Sequence, residues 1–345
     1  MRYLSRSLSI IVLIGSLTPG SAAARESERT GVPEWVKPAL RYAVEHKLIE
    51  RDRFHPNRAI SRARFARIIE KAFGGGYTRT EGKATAAEVA ATLVRMVGRK
   101  AVAKKLSGAK SPDGWDPGVG RRFGTEIVAR ELGLRHDRPT TEESEEASAT
   151  DPISQADAIY AVWKAKTAPN TYAADDLSNF ELADYRGVRR SVVKFALSMA
   201  GTPYVWGGEW PKATPSGYPY GAQPAGGMDC SGFVWYVLQA KSSSYTPIDR
   251  PYKGWYIPER SSSQMAAATP RRKRLRPGEF LPGDIILFAP EGRDSRAADV
   301  YHAGLYIGRG WMIHSSGSRA GVSLARITKG TWWRDQILWG RRVIG

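Results

Sequence analysis

The stretch GGMDCSGFVWYVL, residues 226–238, decides how the C-terminal half of the chain folds. It contains Cys230, the single cysteine of the 345 residues, followed closely by the apolar run FVWYVL. The β-branched and aromatic content of that run favours a strand, whereas Asp229 can cap a buried helix beginning at Cys230. We predict the helix, because backbone N–H groups and the positive dipole end at a helix start stabilise a thiolate. The alternative to a reactive thiol is that Cys230 is a small, buried apolar residue.

A nucleophilic cysteine needs a base, usually a histidine, and a group that orients that base. Of the five histidines, His46, His55 and His136 lie in the helical half in polar surroundings, and we expect them at the surface. His302 and His314 remain, in the β-like runs YHAGLYIG (301–308) and WMIHSS (311–316). These two are the candidate base and orienting residue.

A hairpin turn through Gly-Arg-Gly, residues 308–310, brings these two histidines together. With a three-residue loop centred on Arg309, residue 304 pairs with residue 314. His302 and His314 then share a face as diagonal neighbours within about 7 Å. Two ordinary strand histidines are the simpler alternative. A zinc site is another, weakened by the lack of CxxC or HExxH spacing.

Six segments in the C-terminal half resemble the NlpC-type cell-wall cysteine peptidases: GTPYVWGG, GGMDCSGFV, RSSSQM, LRPGEFLPGDIILF, YHAGLYIG and WMIHSS. The resemblance implies an α+β, papain-like fold, in which a helix bearing the cysteine packs on an antiparallel sheet bearing the histidines. It also implies that Cys230 is the nucleophile, His302 the general base and His314 the residue that orients it.

The resemblance further implies a secreted peptidoglycan hydrolase, a cysteine endopeptidase that cleaves stem peptides, commonly at the D-γ-glutamyl–diamino acid bond, without cofactor or metal. Tyr204, Asp229, Ser231 and Arg260 match substrate-binding positions of the family. Asp229 as a simple helix cap and Arg260 as a surface charge are the alternatives. The rival functions are an N-acetylmuramoyl-L-alanine amidase, an acyltransferase, and a wall-binding protein with an inactive peptidase domain.

The N-terminal half, residues 25–168, carries a weak internal repeat that predicts an all-α helical repeat domain. Segments 59–74, 83–98 and 152–167 each place a hydroxyl residue, Ser61, Thr85 or Ser154, before an amphipathic helical pattern. The hydroxyl can cap the helix, and Glu88 completes a capping box with Thr85.

This arrangement resembles the S-layer homology module, in which a helix with an early tryptophan leads through an F-x-P segment into a TRAE-like helix start. Trp35, Phe54 and Pro56 match the first repeat, and Arg62 is the one motif arginine that survives. The resemblance implies binding to wall-linked polysaccharide. A helical spacer without a ligand is the alternative.

The first 24 residues predict a signal peptide, with Arg2 and Arg6 before an apolar stretch and an Ala-x-Ala site at 22–24. That stretch is shorter than the roughly 20 residues of a membrane span. We therefore expect a secreted, cell-wall-associated protein without a membrane segment after cleavage. The predicted layout is signal peptide 1–24, helical domain 25–168, linker 169–186 and peptidase domain 187–345.

The net charge of +18 predicts attraction to anionic polymers. Because the chain is expected outside the cytoplasm, we favour peptidoglycan and anionic cell-wall polymers over nucleic acid as partners. The alternative is that the charge serves solubility alone.

Overall fold

The chain forms a helical N-terminal half and a C-terminal half built on an antiparallel sheet. The computed structural model describes residues 31–75, 77, 80–139, 142, 146–167, 176–184, 186–217, 221–223, 226–239 and 257–345. The predicted signal peptide lies outside this range, as do residues 169–175 and 185 of the predicted linker. The structure contains both helices and an antiparallel sheet, and most of the helices precede the sheet in the chain. This agrees with the predicted α+β class.

The helices are named in chain order. They are α1 (Lys37–Glu45), α2 (Arg62–Phe73), α3 (Ala86–Met96), α4 (Lys100–Ser107), α5 (Phe123–Glu131), α6 (Gln155–Thr167), α7 (Gly187–Ser198), α8 (Cys230–Gln239), α9 (Ser262–Ala267) and α10 (Trp332–Asp335).

The three predicted hydroxyl caps are confirmed. The Ser61 hydroxyl accepts the Arg64 N–H at 3.2 Å and starts α2. The Thr85 hydroxyl accepts the Glu88 N–H at 3.2 Å, while the Glu88 carboxylate accepts the Thr85 N–H at 2.9 Å, so the capping box before α3 is complete. The Ser154 hydroxyl accepts the Asp157 N–H at 3.0 Å at the start of α6.

The residues immediately before these caps join in a closed ring of backbone hydrogen bonds, the cap ring. The Ile60 N–H donates to the Ile153 carbonyl, the Ile153 N–H to Ala84, and the Ala84 N–H to Ile60, at 2.9–3.0 Å. All three side chains are buried. The three repeats are therefore equivalent in space as well as in sequence.

The strands, also in chain order, are β1 (Glu209–Trp210), β2 (Thr214–Gly217), β3 (Gly221–Gln223), β4 (Gly227–Met228), β5 (Arg274–Leu275), β6 (Ile285–Phe288), β7 (His302–Gly308), β8 (Trp311–Ser316), β9 (Gly321–Arg326) and β10 (Ile337–Arg341). Six of them form one antiparallel sheet in the order β5-β10-β6-β7-β8-β9. Two short two-stranded ladders, β1-β4 and β2-β3, precede helix α8.

The two faces of the sheet bury different apolar clusters. Ile285, Ala303 and Ile313 belong to the large core that also contains Phe233 of α8, and α8 contacts both β7 and β8. The alternate positions, among them Phe288, belong to a smaller cluster. Period-two alternation of buried side chains therefore fixes which residues of β7 face α8.

Helix α5 connects the two halves by packing against β9. The Arg130 side chain is 1% exposed, and its guanidinium donates to the carbonyls of Gly201 and Ala320 and to the Glu146 carboxylate. The Ser323 hydroxyl of β9 donates to the Glu131 carboxylate at 2.8 Å. Buried polar groups of the helical half thus form hydrogen bonds with backbone and side-chain groups of the sheet half.

Candidate active site

Cys230 is the first residue of helix α8, which confirms the helix prediction over the strand. The Asp229 carboxylate accepts the Gly232 N–H at 2.6 Å and so caps the helix start. Its second oxygen accepts the Gly207 N–H at 3.0 Å. Every residue of the apolar run 233–238 is buried, so the helix itself is held in the core. The cap therefore places the candidate nucleophile at the start of a buried helix.

The Cys230 thiol lies beside the start of β7, where the backbone of Ala303 hydrogen-bonds to it. Burial and the Asp229 charge raise the pKa of the thiol to about 11, and the backbone hydrogen bonds from Ala303 and Ser231 only partly oppose them. The expectation of a thiolate held by the helix start is therefore wrong for the free protein. Desolvation outweighs the helix terminus, and the thiol is protonated at neutral pH.

His302 and His314 meet as the alternation of strand residues predicts. The His302 Nε2 and His314 Nδ1 atoms are 2.7 Å apart, and the ring centroids are 5.0 Å apart. Strands β7 and β8 pair Leu305 with Ile313, and a Cβ added to Gly304 would lie 3.2 Å from the His314 Cβ. The position opposite His314 is therefore occupied by a glycine, as expected.

The loop of this hairpin differs from the prediction. Gly308 pairs with Trp311, which leaves a two-residue loop, and the register shifts between Tyr306 and Gly308. Arg309 and Gly310 both have positive φ, 49° and 76°, as the tight hairpin turn requires. The irregularity before the loop restores the register, so the shared face of the histidines does not depend on loop length.

Aromatic rings pack against the histidine pair. The Trp333 ring lies 4.9 Å from the His302 ring and 5.0 Å from the His314 ring, and Phe288 lies 5.0 Å from Trp333. Burial lowers the pKa of His302 to about 3, and burial followed by the His302 charge lowers the pKa of His314. Both imidazoles are therefore neutral at neutral pH.

Because both imidazoles are neutral, the hydrogen bond between the two rings can run in either direction. One of the two bonded nitrogens carries the proton and the other accepts it, since a neutral imidazole has one of each. If His314 donates from Nδ1, His302 keeps its proton on Nδ1 and an acceptor at Nε2; the opposite choice leaves Nδ1 of His302 as the free acceptor. The second tautomer gives His302 a nitrogen that can take a proton from outside the pair.

Asp229, Ser231 and Arg260 meet in one buried ion-pair cluster beneath the helix start. The Arg260 guanidinium donates to both Asp229 oxygens at 3.0 and 3.1 Å and to the Ser231 hydroxyl at 2.8 Å. It also donates to the Gly208 carbonyl at 3.0 Å. Arg260 is thus a buried residue bonded to the helix cap, and the surface-charge alternative is wrong.

Glu209 completes this cluster, and the sequence reasoning missed it. The Arg260 Nε donates to its carboxylate at 3.1 Å, and Glu209 is 4% exposed. Burial raises the pKa of Glu209, while burial is outweighed at Arg260 by Asp229 and Glu209, which raise the pKa of the guanidinium. The only available signal was an acidic residue next to the GG of the GTPYVWGG segment.

Tyr204 is half-buried, and its backbone N–H donates to the Ala320 carbonyl at 3.1 Å. It therefore lies where the segment before the cysteine meets the start of β9. The substrate-binding roles of Tyr204, Asp229, Ser231 and Arg260 stay predictions.

The three remaining histidines divide. His46 and His55 are exposed, as expected. The expectation is wrong for His136, which stacks on Trp35 with ring centroids 4.5 Å apart, and burial lowers its pKa to about 4. All three belong to the helical half.

Within the part of the chain that the structure describes, no group of three or more His, Cys, Asp or Glu side chains is arranged to hold a metal ion. Over the same residues, no helix combines the length and apolar content that crossing a membrane requires.

Residues 201–341 match the NlpC/P60 family. Peptidoglycan endopeptidase RipB of Mycobacterium tuberculosis is 30% identical over 165 residues, which cover 48% of this chain and 58% of RipB. The gamma-D-glutamyl-L-lysine dipeptidyl-peptidase of Bacillus subtilis is 26% identical over 148 residues, covering 43% of this chain and 39% of that protein. The solved structure of RipB aligns with a TM-score of 0.31 at 26% identity, covering 46% of this chain and 65% of that one. The matched segment spans 58% of RipB and 39% of the Bacillus subtilis protein, less than two thirds of either.

Proposed function

We propose, from the NlpC/P60 domain at residues 201–341, that this chain is a peptidoglycan hydrolase whose C-terminal half is a cysteine endopeptidase. One observation carries the proposal: the thiol at the start of α8 lies beside the strand that begins with His302, and His302 is 2.7 Å from His314. RipB, named a peptidoglycan endopeptidase, supports the same substrate class.

In the proposed mechanism, His302 takes the proton of the Cys230 thiol as the sulfur attacks the carbonyl carbon of the scissile amide. A neutral thiol and a neutral imidazole are the starting states, since the thiol pKa is raised and the His302 pKa is lowered. The tetrahedral oxyanion lies at the N–H groups of the α8 start. His302 then gives the proton to the leaving amine, and water, deprotonated by His302, releases the acyl group and restores the thiol.

His314 orients His302 through the bond between the two rings. The cluster of Asp229, Ser231, Arg260 and Glu209 holds the helix start in place, because each charged group there is paired. Together with Tyr204, it borders the side of the nucleophile on which we place the acyl part of the stem peptide. The bond we propose is D-γ-glutamyl–diamino acid.

The helical half and the basic charge form the second part of the proposal. We assign signal peptide, helical repeat domain, linker and peptidase domain to residues 1–24, 25–168, 169–186 and 187–345, in a secreted protein associated with the cell wall. The repeats, which resemble S-layer homology modules, and the net charge of +18 hold the protein to anionic wall polymer.

Digestion of purified sacculi tests the catalytic proposal. The wild-type protein is expected to release peptide fragments whose masses identify cleavage after D-glutamate. Cys230→Ala is expected to release none, and His302→Ala nearly none. His55→Ala, which removes an exposed histidine, serves as the matched control and is expected to keep full activity.

The masses also separate the rivals. Intact stems freed from muramic acid indicate an amidase, transfer products indicate an acyltransferase, and unchanged sacculi with bound protein indicate an inactive wall-binding domain. Full activity of Cys230→Ala refutes the cysteine mechanism.

A further inference from the structure

A pocket of about 340 Å³ opens at the edge strand β9, where the two halves meet. Three tryptophans, Trp311, Trp332 and Trp333, line it, together with residues of both halves. We call it the tryptophan pocket. Its volume lies within the range of small-molecule sites.

Trp332 supplies an indole that is left in water. It is 60% exposed, the highest value among the large apolar side chains of the described residues except Trp206. Its neighbour Trp333 contacts it at 4.8 Å between ring centroids and contacts both histidines at 4.9 and 5.0 Å. A ligand stacked on Trp332 therefore lies one indole away from the histidine pair.

The charged side chains that line the pocket form ion pairs, each of one arginine and one carboxylate. The Arg319 guanidinium contacts the Glu131 carboxylate at 2.8 Å, and Arg326 contacts Asp176 at 2.5 Å. Because each cation has its own anion, the pocket has no excess charge to attract an ion. Exposed aromatic faces and balanced polar groups suit a neutral ligand that has apolar faces and many hydroxyl or amide groups.

We propose that the tryptophan pocket binds a pyranose ring of the peptidoglycan glycan strand, an N-acetylated amino sugar, next to the stem peptide under cleavage. This rests on the proposed function. The C–H bonds on one face of a pyranose carry partial positive charge and stack on the negative face of an indole. The hydroxyl and acetamido groups then meet the paired charges of the rim.

The reach of the substrate and the ring-to-ring distances are of the same order. Two residues separate the muramic acid from the D-γ-glutamyl–diamino acid bond, and two extended residues span about 7 Å. The two ring-to-ring steps from His302 through Trp333 to Trp332 are 4.9 and 4.8 Å. In this proposal, a sugar stacked on Trp332 and the amide cleaved beside His302 belong to the same substrate molecule.

Two substrates with the same stem peptide test the pocket. One carries the N-acetylglucosaminyl-N-acetylmuramyl disaccharide, and the other carries only the lactyl group. We expect wild-type kcat/KM to favour the disaccharide substrate about fivefold, the size of one aromatic stacking contact. Trp332→Ala removes this preference through KM and leaves the lactyl-peptide rate unchanged, and Trp332→Phe keeps most of it. Leu281→Ala, an exposed apolar residue outside the pocket, is the matched control.

Equal wild-type rates on the two substrates overturn the proposal, as does a Trp332→Ala variant that slows both alike. Cleavage of neither substrate overturns the proposed function instead. In that case, sugar binding by the tryptophan pocket is tested separately: Cys230→Ala is titrated with an N-acetylglucosamine trisaccharide while tryptophan fluorescence is followed. Binding that disappears in a variant carrying both Cys230→Ala and Trp332→Ala supports the pocket, and no binding overturns it.

Discussion

Acidification should destabilise the protein through the buried His302. Its side chain is 7% exposed, and burial lowers its pKa from 6.5 to about 3. As pH falls, His302 therefore becomes protonated near pH 6.5 in the unfolded chain, but only near pH 3 in the folded protein. For a folded-state pKa that is lowered, the stability is fully present above the unfolded pKa and is lost as pH falls through that window.

The size of the loss follows from the two pKa values. At pH 5 the unfolded histidine is almost fully protonated while the folded one is almost fully neutral. Relative to pH 7.5, the contribution of His302 to the free energy of unfolding falls by about 2 kcal/mol. His314 adds to the total because its pKa is also lowered, and the buried Glu131 acts in the opposite direction because burial raises its pKa.

Urea unfolding at pH 7.5 and pH 5.0 measures this effect when wild type is compared with His302→Gln. The difference between the two proteins reports His302 together with its effect on the pKa of His314, since the remaining titrating groups are common to both. We expect wild type to lose about 2 kcal/mol more than the variant on acidification. His55→Gln, at an exposed position, controls for the loss of one imidazole. Equal losses in wild type and His302→Gln would refute the claim that this histidine is held neutral by burial.

Three further outcomes are expected. Alkylation of Cys230 by iodoacetamide should accelerate as pH rises from neutral towards about 11, because burial raises the pKa of the thiol; a rate independent of pH above neutrality contradicts this. Gly304→Ala should lower the free energy of unfolding in urea by about 1–3 kcal/mol, since the new Cβ would lie 3.0 Å from the Met312 sulfur; unchanged stability would show that the strand gives way freely. Arg130→Met should lower it by about 3–5 kcal/mol by removing the hydrogen-bonded partner of the Glu146 carboxylate and the donors to the Gly201 and Ala320 carbonyls, and Arg130→Met/Glu146→Leu should recover the part due to Glu146; equal losses in the single and double variants rule out the buried pair as the cause.

The parts of the site that the sequence predicted depend on local rules. A cap residue and its helix are neighbours in the chain, so Asp229, together with the chemistry expected of a nucleophilic cysteine and the family resemblance, indicated a helix start at Cys230. Alternation along a strand has a period of two, so the shared face of His302 and His314 followed from parity alone. It survived a loop of a different length because the register shift before the loop compensated.

The parts that the sequence did not predict depend on distant contacts and on burial. Glu209 lies 51 positions from Arg260 in the chain, and nothing local indicates that they pair. Trp333 touches the histidines only because the segment after β9 returns over the sheet. The protonated thiol was missed for a related reason: a helix start favours a thiolate, but the degree of desolvation that opposes it is a property of the whole fold.

The cap ring affects when the helical half can fold during synthesis and how it responds to limited proteolysis. Its three members, Ile60, Ala84 and Ile153, are far apart in the chain, so the ring stays open during synthesis until the last of them has left the ribosome. Once closed, each member is held by the other two. A protease that nicks the connection between α2 and α3 therefore leaves the N-terminal fragment, with Ile60, bound to the other fragment, which contains both Ala84 and Ile153. The nicked protein should migrate as one body in a native gel and separate into two fragments in denaturant.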